Sequence, residues 1–171
     1  MKRLLILLLL ISNIAAAQNL QIGIRAGYVI QGFQTTNGRI TPVDKNTIMG
    51  GIFMSQKLSP KVDIRLALLF MEDVNYNELI GPNTMAQRFS FRSVPASLTY
   101  AVLPKLDLVF GAQLNLFPRS ENTDIGLFGG VKYNITRDLS AEVRYHRNIV
   151  AANFHRIYAF EFVLNYAWFS F

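Results

Sequence analysis

Apolar and polar residues alternate one by one through most of the chain, in segments of about ten residues. In Leu20–Ile30 every even-numbered position is apolar or aromatic, whereas the odd-numbered positions include Arg25 and two glycines. A period of two indicates a β-strand with one apolar face. Six further segments share the pattern: 62–70, 94–100, 106–116, 125–135, 139–145 and 158–168. A weaker segment, Ile48–Leu58, brings the predicted count to about eight strands.

The connections between these segments alternate in length. Those at 31–47 and 72–88 are long, whereas those around Pro60 and at Leu103–Lys105 are tight. Bacterial outer-membrane barrels place short turns on the periplasmic side and longer loops outside. A sheet in lipid must also close, because each unpaired backbone group at an open edge costs several kcal/mol. The sequence therefore predicts an all-β fold: a closed antiparallel up-and-down transmembrane β-barrel of about eight strands.

Charged residues occur in the middle of the predicted strands, on the face opposite the apolar one. A soluble barrel would need a polar exterior, so this arrangement favours a barrel with its apolar face in lipid and its charges in the lumen. We expect the following residues to form a paired polar network in the lumen: Arg25, Asp63, Arg65, Asp107, Lys132, Glu142, Arg144 and Glu161. Eight strands leave an interior that side chains just fill. A plugged lumen is thus predicted, with a narrow channel for ions or small solutes as the alternative.

Aromatic residues near the predicted strand ends suit the membrane–water interface, where amphipathic rings are enriched. The predicted interface aromatics are Tyr28, Tyr100, Tyr133, Tyr145, Tyr166 and Trp168. Pro95 is a misfit, because it lies within a predicted strand and has no N–H for the ladder. It predicts a bulge or a local break in pairing.

The first residues have the pattern of a secretory signal peptide. Met1–Arg3 is a short positive segment, Leu4–Ile11 is apolar throughout, and Ala15–Ala17 supplies small residues before Gln18. The apolar segment is too short to span a bilayer as a helix. We therefore expect residues 1–17 to be cleaved after Ala17, and residues 18–171 to form an exported barrel domain of the bacterial outer membrane.

Composition and motif spacing give little support to enzymatic or nucleic-acid functions. The chain has no cysteine, and its net charge of +6 comes from basic residues scattered singly rather than in a run. His146 and His155 are the only histidines, and two ligands do not make a zinc site. Ser140 shares a predicted face with His146, but six residues of strand separate them by about 20 Å. We predict no enzyme activity, catalytic residue, cofactor, metal or nucleic-acid partner.

Two other classes remain open at this point. An outer-membrane hydrolase would need a nucleophile and a base brought together by loop folding. A soluble lipocalin-like carrier would require the alternation to be inverted, with the apolar face lining a cavity and many charges outside.

Several segments resemble one known family in their order and spacing. The strand Phe91–Tyr100, with its Val-Pro pair and terminal Tyr, is followed by Leu108–Leu114, Asp124–Tyr133, Leu139–Tyr145 and a final Tyr166–Trp168. Together they resemble the PorT-like outer-membrane β-barrel family of Bacteroidetes, small barrels of the OmpA or OmpX type. The resemblance implies the fold and the location, and a proline like Pro95 is common in the family. No motif here indicates the secretion role of the family's namesake.

The expected partners follow from the predicted location. Arginines near the outer strand ends suit the phosphates of outer-membrane lipid and lipopolysaccharide: Arg88, Arg92, Arg119, Arg147 and Arg156. The polar loops are a recognition surface that suits another envelope protein. The family resemblance further implies contact with the barrel-assembly machinery through a terminal aromatic, either Trp168 or Phe171. The predicted function is a structural or envelope-interaction role.

Overall fold

The computed structural model describes residues 20–35, 40–42, 46–72, 74–80, 83–89, 92–116, 123–150 and 155–170. The predicted signal peptide and its cleavage site after Ala17 lie outside these residues and stay a prediction. The described part of the chain contains no helix of the length and apolarity that crossing a bilayer requires.

All described elements are β-strands. In chain order they are β1 Leu20–Thr35, β2 Ile40–Pro42, β3 Asn46–Ser59, β4 Val62–Met71, β5 Val74–Ile80, β6 Asn83–Phe89, β7 Arg92–Leu103, β8 Leu106–Leu116, β9 Thr123–Asn134, β10 Leu139–Val150 and β11 His155–Ser170. Eight of them form a closed antiparallel barrel in the order β1-β11-β10-β9-β8-β7-β4-β3, in which β1 pairs with both β3 and β11. The predicted fold class is confirmed, and the weakest predicted segment is the 14-residue strand β3.

The long connections contain more regular structure than the sequence suggested. Two strands, β2 and β5, lie within the segments 31–47 and 72–88 that were predicted as loops, and β6 extends one residue beyond the second segment, to Phe89. They form a separate three-stranded sheet in the order β2-β5-β6. Antiparallel backbone bonding does not require an apolar face, so these polar segments pair without the alternation that identifies the barrel strands.

Pro95 interrupts the pairing of β7 on one side only. Towards β8 it pairs with Gln113, but towards β4 the pairing stops at Ala96 and resumes at Ser93 in the same register. The missing N–H of proline accounts for a gap of this kind. The predicted break is therefore present, without a bulge.

The outer surface of the barrel is a continuous apolar band. Along β4, for example, Ile64, Leu66, Leu68 and Phe70 are exposed, whereas the residues between them are buried. Soluble proteins rarely expose apolar patches of this extent, whereas a lipid-facing barrel requires one.

The interior contains an apolar cluster as well as polar groups. Side chains from β11, β1, β3 and β4, which are neighbours in the barrel, form a buried apolar cluster: Val29, Met49, Phe53, Ala67, Leu69, Met71, Ala159, Val163 and Ala167. Three of these strands also carry buried charged residues, with Arg25 on β1, Arg65 on β4 and Glu161 on β11. The lumen is therefore lined by both kinds of side chain.

Candidate functional site

A buried ion network crosses the lumen at mid-height. Glu142 on β10 accepts hydrogen bonds from Arg25 Nη2 on β1, at 2.8 Å, and from Arg65 Nη1 on β4, at 3.1 Å. Because β4 and β10 are four strands apart in the ring of eight, the second bond spans the barrel. Arg144 Nε on β10 donates to Glu161 Oε2 on β11. All five residues are no more than 6% exposed. We call them the central network.

The central network carries one more positive than negative charge, and two aromatic rings face its cations. The guanidinium carbon of Arg65 lies 5.0 Å from the Phe53 ring centroid, and that of Arg144 lies 4.5 Å from the Phe128 ring centroid. Rings placed in this way stabilise desolvated cations. Neither Phe53 nor Phe128 was predicted to take part in the lumen network. The sequence pattern that could have indicated them is that both rings fall on the inward face of their strands, among small and polar residues.

A chain of amide side chains extends the central network towards the long-loop end. Gln113 Oε1 accepts from Arg144 Nη2 at 3.4 Å, and Gln113 Nε2 donates to Asn115 Oδ1 at 2.9 Å. Asn115 then donates to Asn148 Oδ1 at 3.4 Å, and Asn148 donates to Asp124 Oδ2 at 3.0 Å. These residues were not predicted as part of the lumen network, although all lie on the inward face of their strands.

The remaining predicted lumen residues lie near the turn end. Lys132 Nζ is 2.7 Å from Asp107 Oδ2, and Asn134 Nδ2 donates to the same oxygen at 2.9 Å. Asp63 is half-buried at this level. It lies two residues before Arg65 on β4, which corresponds to about 7 Å along the strand. The eight predicted residues thus divide into the central network, one ion pair and the separate carboxylate of Asp63.

His146 lies inside the lumen, on the face that alternation predicts for it together with Ser140. It is 3% exposed and faces Gly126, where a Cβ atom would lie 2.1 Å from His146 Nε2. A side chain at Gly126 would therefore force this ring to shift. Ser140, which shares its face on β10, accepts a hydrogen bond from Asn165 Nδ2 at 3.4 Å. The side chain of His155 lies outside the described residues.

No metal centre is present in the described part of the chain, which contains no group of three or more His, Cys, Asp or Glu side chains placed to hold an ion.

The six predicted interface aromatics all lie on the outer surface, with exposures from 41% to 56%. Tyr100, Tyr133, Tyr166 and Trp168 lie close to the turn end. Tyr28 and Tyr145 instead lie within their strands, because β1 and β10 extend further than predicted, to Thr35 and Val150. Four of the six thus form one girdle, on the turn side.

A bulge near the end of β11 alters the outward alternation of its last residues. Ile22 of β1 pairs with Phe169 and Gly23 pairs with Ala167, so Trp168 is the extra residue. Trp168 and Phe169 are consequently both exposed on the outer surface. Phe171, the other candidate assembly signal, lies outside the described residues.

Two of the five predicted lipid-facing arginines have described side chains. Arg92 and Arg147 are both exposed near the long-loop end, and the Arg92 guanidinium carbon lies 5.9 Å from the Phe70 ring centroid. The side chains of Arg88, Arg119 and Arg156 lie outside the described residues.

Comparisons with known proteins agree with this architecture. No protein-family model matches the chain, and no curated protein sequence matches it. Among solved structures, the barrel is similar to Ail, the attachment invasion locus protein of Yersinia pestis, with a TM-score of 0.57, 11% identity, and coverage of 86% of this chain and 98% of that one.

A structure of Ail in complex with the heparin analogue sucrose octasulfate gives a TM-score of 0.58 and 12% identity, over 88% of this chain and 99% of that one. The outer membrane protein OprG of Pseudomonas aeruginosa gives a TM-score of 0.57 and 8% identity, over 88% and 94%. The chain therefore has the fold of small eight-stranded outer-membrane barrels.

Proposed function

We propose that the chain is an integral outer-membrane barrel with a structural or envelope-interaction role, whose lumen is closed by its own side chains. The observation that carries this proposal is the central network. Glu142 joins arginines from two other walls of the barrel, one of them opposite, and every member is buried. A conducting path at this level would have to break a desolvated ion cluster. The interior of an eight-stranded barrel leaves little room beside it.

The outer surface supports the proposed location. The barrel strands have 10 to 16 residues, which is enough for the length of about 9–11 residues that a tilted transmembrane strand needs. The apolar band and the aromatic girdle suit the hydrocarbon core and one interface. Export by the signal peptide 1–17 and membership of the PorT-like family of Bacteroidetes belong to the same proposal, and the motifs from Phe91 to Trp168 support them.

The two ends of the barrel differ in a way that supports an orientation. Short turns at Pro60–Lys61, Pro104–Lys105 and 135–138 close one end. The opposite end carries the three-stranded sheet β2-β5-β6. The usual asymmetry of outer-membrane barrels places the turns in the periplasm and the sheet outside the cell. In the described chain β2 and β6 each pair with one strand, so the sheet offers backbone edges to an envelope partner.

The proposed role also includes lipid and assembly contacts. Arg92 and Arg147, both exposed near the long-loop end, would meet lipopolysaccharide phosphates at the outer surface. Insertion would use the barrel-assembly machinery, with Trp168 or Phe171 as its terminal aromatic. A hydrolase is disfavoured because His146 is buried in the lumen and Ser140 lies about 20 Å along the same strand.

The test is to refold the mature chain, residues 18–171, in detergent and to compare boiled and unboiled samples by gel electrophoresis. A folded membrane barrel resists the denaturing detergent and migrates differently until it is boiled. A folded monomer that is soluble without detergent would exclude the membrane barrel. In planar bilayers the plugged lumen predicts no single-channel events, and steady unitary conductance in the wild type would instead establish the narrow channel.

A further inference from the structure

The turn end of the lumen contains a cavity of about 490 Å³. Its walls include the turn residues Pro60, Pro104 and Arg137, and deeper side chains such as Thr99 and Lys132. The volume lies within the range of about 300–1,000 Å³ that is usual for small-molecule sites. The central network lies beyond its inner end, since Arg65 is the next inward-facing residue after Asp63 on β4.

The cavity lining has an excess of positive charge. Lys57, Lys61 and Arg137 line it, and none of the three makes an ion pair within the described chain. Lys132 is neutralised by Asp107, which leaves Asp63 as the one acidic side chain in the lining without an ion-pair partner among the described residues. The lining therefore carries a net charge of about +2, and the central network behind it adds one further positive charge.

A buried hydroxyl in the wall lacks a partner. Thr99 is 2% exposed, and its Oγ1 atom has no hydrogen-bond partner among the described residues. Buried hydroxyls are normally satisfied, and an exception requires an explanation. Asn134, whose amide donates to Asp107, also lines the cavity. An oxyanion would accept from such donors while its charge matched the three unpaired cations.

We propose that this cavity binds a small polyanion bearing several carboxylate or phosphate oxygens. The cations at the rim attract the ligand, and Thr99 fixes its inner end. The central network closes the path beyond, so the site holds its ligand rather than passing it through the lumen. That the site faces the periplasm rests on the proposed orientation, whereas the binding itself requires only the folded barrel.

The test is isothermal titration of the refolded mature chain in zwitterionic detergent with pyrophosphate, with citrate and with uncharged sucrose. The variant Lys57→Gln/Lys61→Gln/Arg137→Gln should lose at least about tenfold in affinity for the bound anion, as expected if each charge contributes about 0.5 kcal/mol. A control variant, Lys105→Gln, removes a charge at an exposed position outside the cavity lining and should stay within about twofold of wild type.

Two single variants separate a built site from general attraction of anions. Asp63→Asn should tighten binding several-fold, a gain that misfolding cannot produce. Thr99→Val keeps the shape and the charge but removes the hydroxyl, and should weaken binding several-fold. Binding of citrate alone or of pyrophosphate alone would support the site and identify the oxyanion.

The proposal is overturned if neither anion binds, if sucrose binds equally well, or if Lys105→Gln loses as much affinity as the triple variant. Heat-modifiable migration of the same samples shows separately whether the barrel has formed. A negative binding result on a folded barrel would therefore leave the proposed membrane role intact.

Discussion

Glu142→Gln is the most direct perturbation of the plugged lumen. The Glu142 carboxylate is bonded to both Arg25 and Arg65, and all three side chains are at least 94% buried. The amide keeps the shape but removes the negative charge, so the central network changes from one excess positive charge to two. Removing one partner of a buried ion pair costs about 3–5 kcal/mol, because it leaves an uncompensated charge in a medium of low dielectric constant. We expect a loss of unfolding free energy in this range.

The measurement is urea-induced unfolding of the barrel in phosphatidylcholine vesicles, followed by fluorescence. Trp168 is the single tryptophan of the chain and lies exposed on the outer surface, so its emission reports departure from the lipid. Glu72→Gln is the matched control, since the same chemical change is made at an exposed position. Its effect should lie within about 0.5 kcal/mol of zero.

The outcome that refutes the reasoning is a cost for Glu142→Gln below about 1 kcal/mol, the range of a solvent-exposed ion pair. It would mean that water screens the central network in the lumen and that the charges do not act as a desolvated plug. A double variant, Arg25→Gln/Glu142→Gln, completes the test. If the pair is coupled, the double variant should cost less than the two single variants together.

Two further predictions concern the barrel wall. A Cβ atom at Gly111 would lie 2.1 Å from the backbone oxygen of Ala96, whereas at Gly129 the nearest atom would be 3.9 Å away. Gly111→Ala should therefore lower the free energy of unfolding in urea by about 1–3 kcal/mol. Gly129→Ala should leave it unchanged or raise it. Val143→Arg, on the lipid face within β10, should cost about 2–4 kcal/mol, and Val102→Arg near a turn about 0–1 kcal/mol. Equal losses of stability for the two glycine variants would contradict the close packing assigned to Gly111. Equal losses for the two arginine variants would contradict the depths assigned to Val143 and Val102.

The lipid-facing surface of the barrel could be predicted from the sequence because lipid imposes a local rule. Every second residue must be apolar wherever the strand faces the hydrocarbon, and neighbouring strands do not alter that requirement. The segment 48–58 was weak for an equally physical reason. In β3 the inward residues Met49 and Phe53 are also apolar, so the alternation is blurred. Which strands contribute to the apolar cluster depends on ring closure, and no local pattern encodes it.

The sequence predicted which residues of the candidate site face the lumen, but it could not predict which of them form ion pairs with one another. Arg65 and Glu142 are 77 residues apart in sequence, and they meet only because closure places β4 opposite β10. Alternation put His146 on the same face as Ser140. Its depth inside the lumen follows from the length of β10, which continues to Val150.

The position of the central network has a consequence for how this barrel can work. The network lies between a cavity at the turn end and the amide chain that leads to Asp124 at the long-loop end. The two ends therefore have separate surroundings. In the proposed membrane location the outer wall of the barrel faces lipid, so recognition would take place at the ends. The turn end offers cations and a buried hydroxyl, whereas the opposite end offers the backbone edges of β2 and β6. A variant that opens the network would join the two compartments without altering the recognition surface at either end, so conductance and binding should respond to different substitutions.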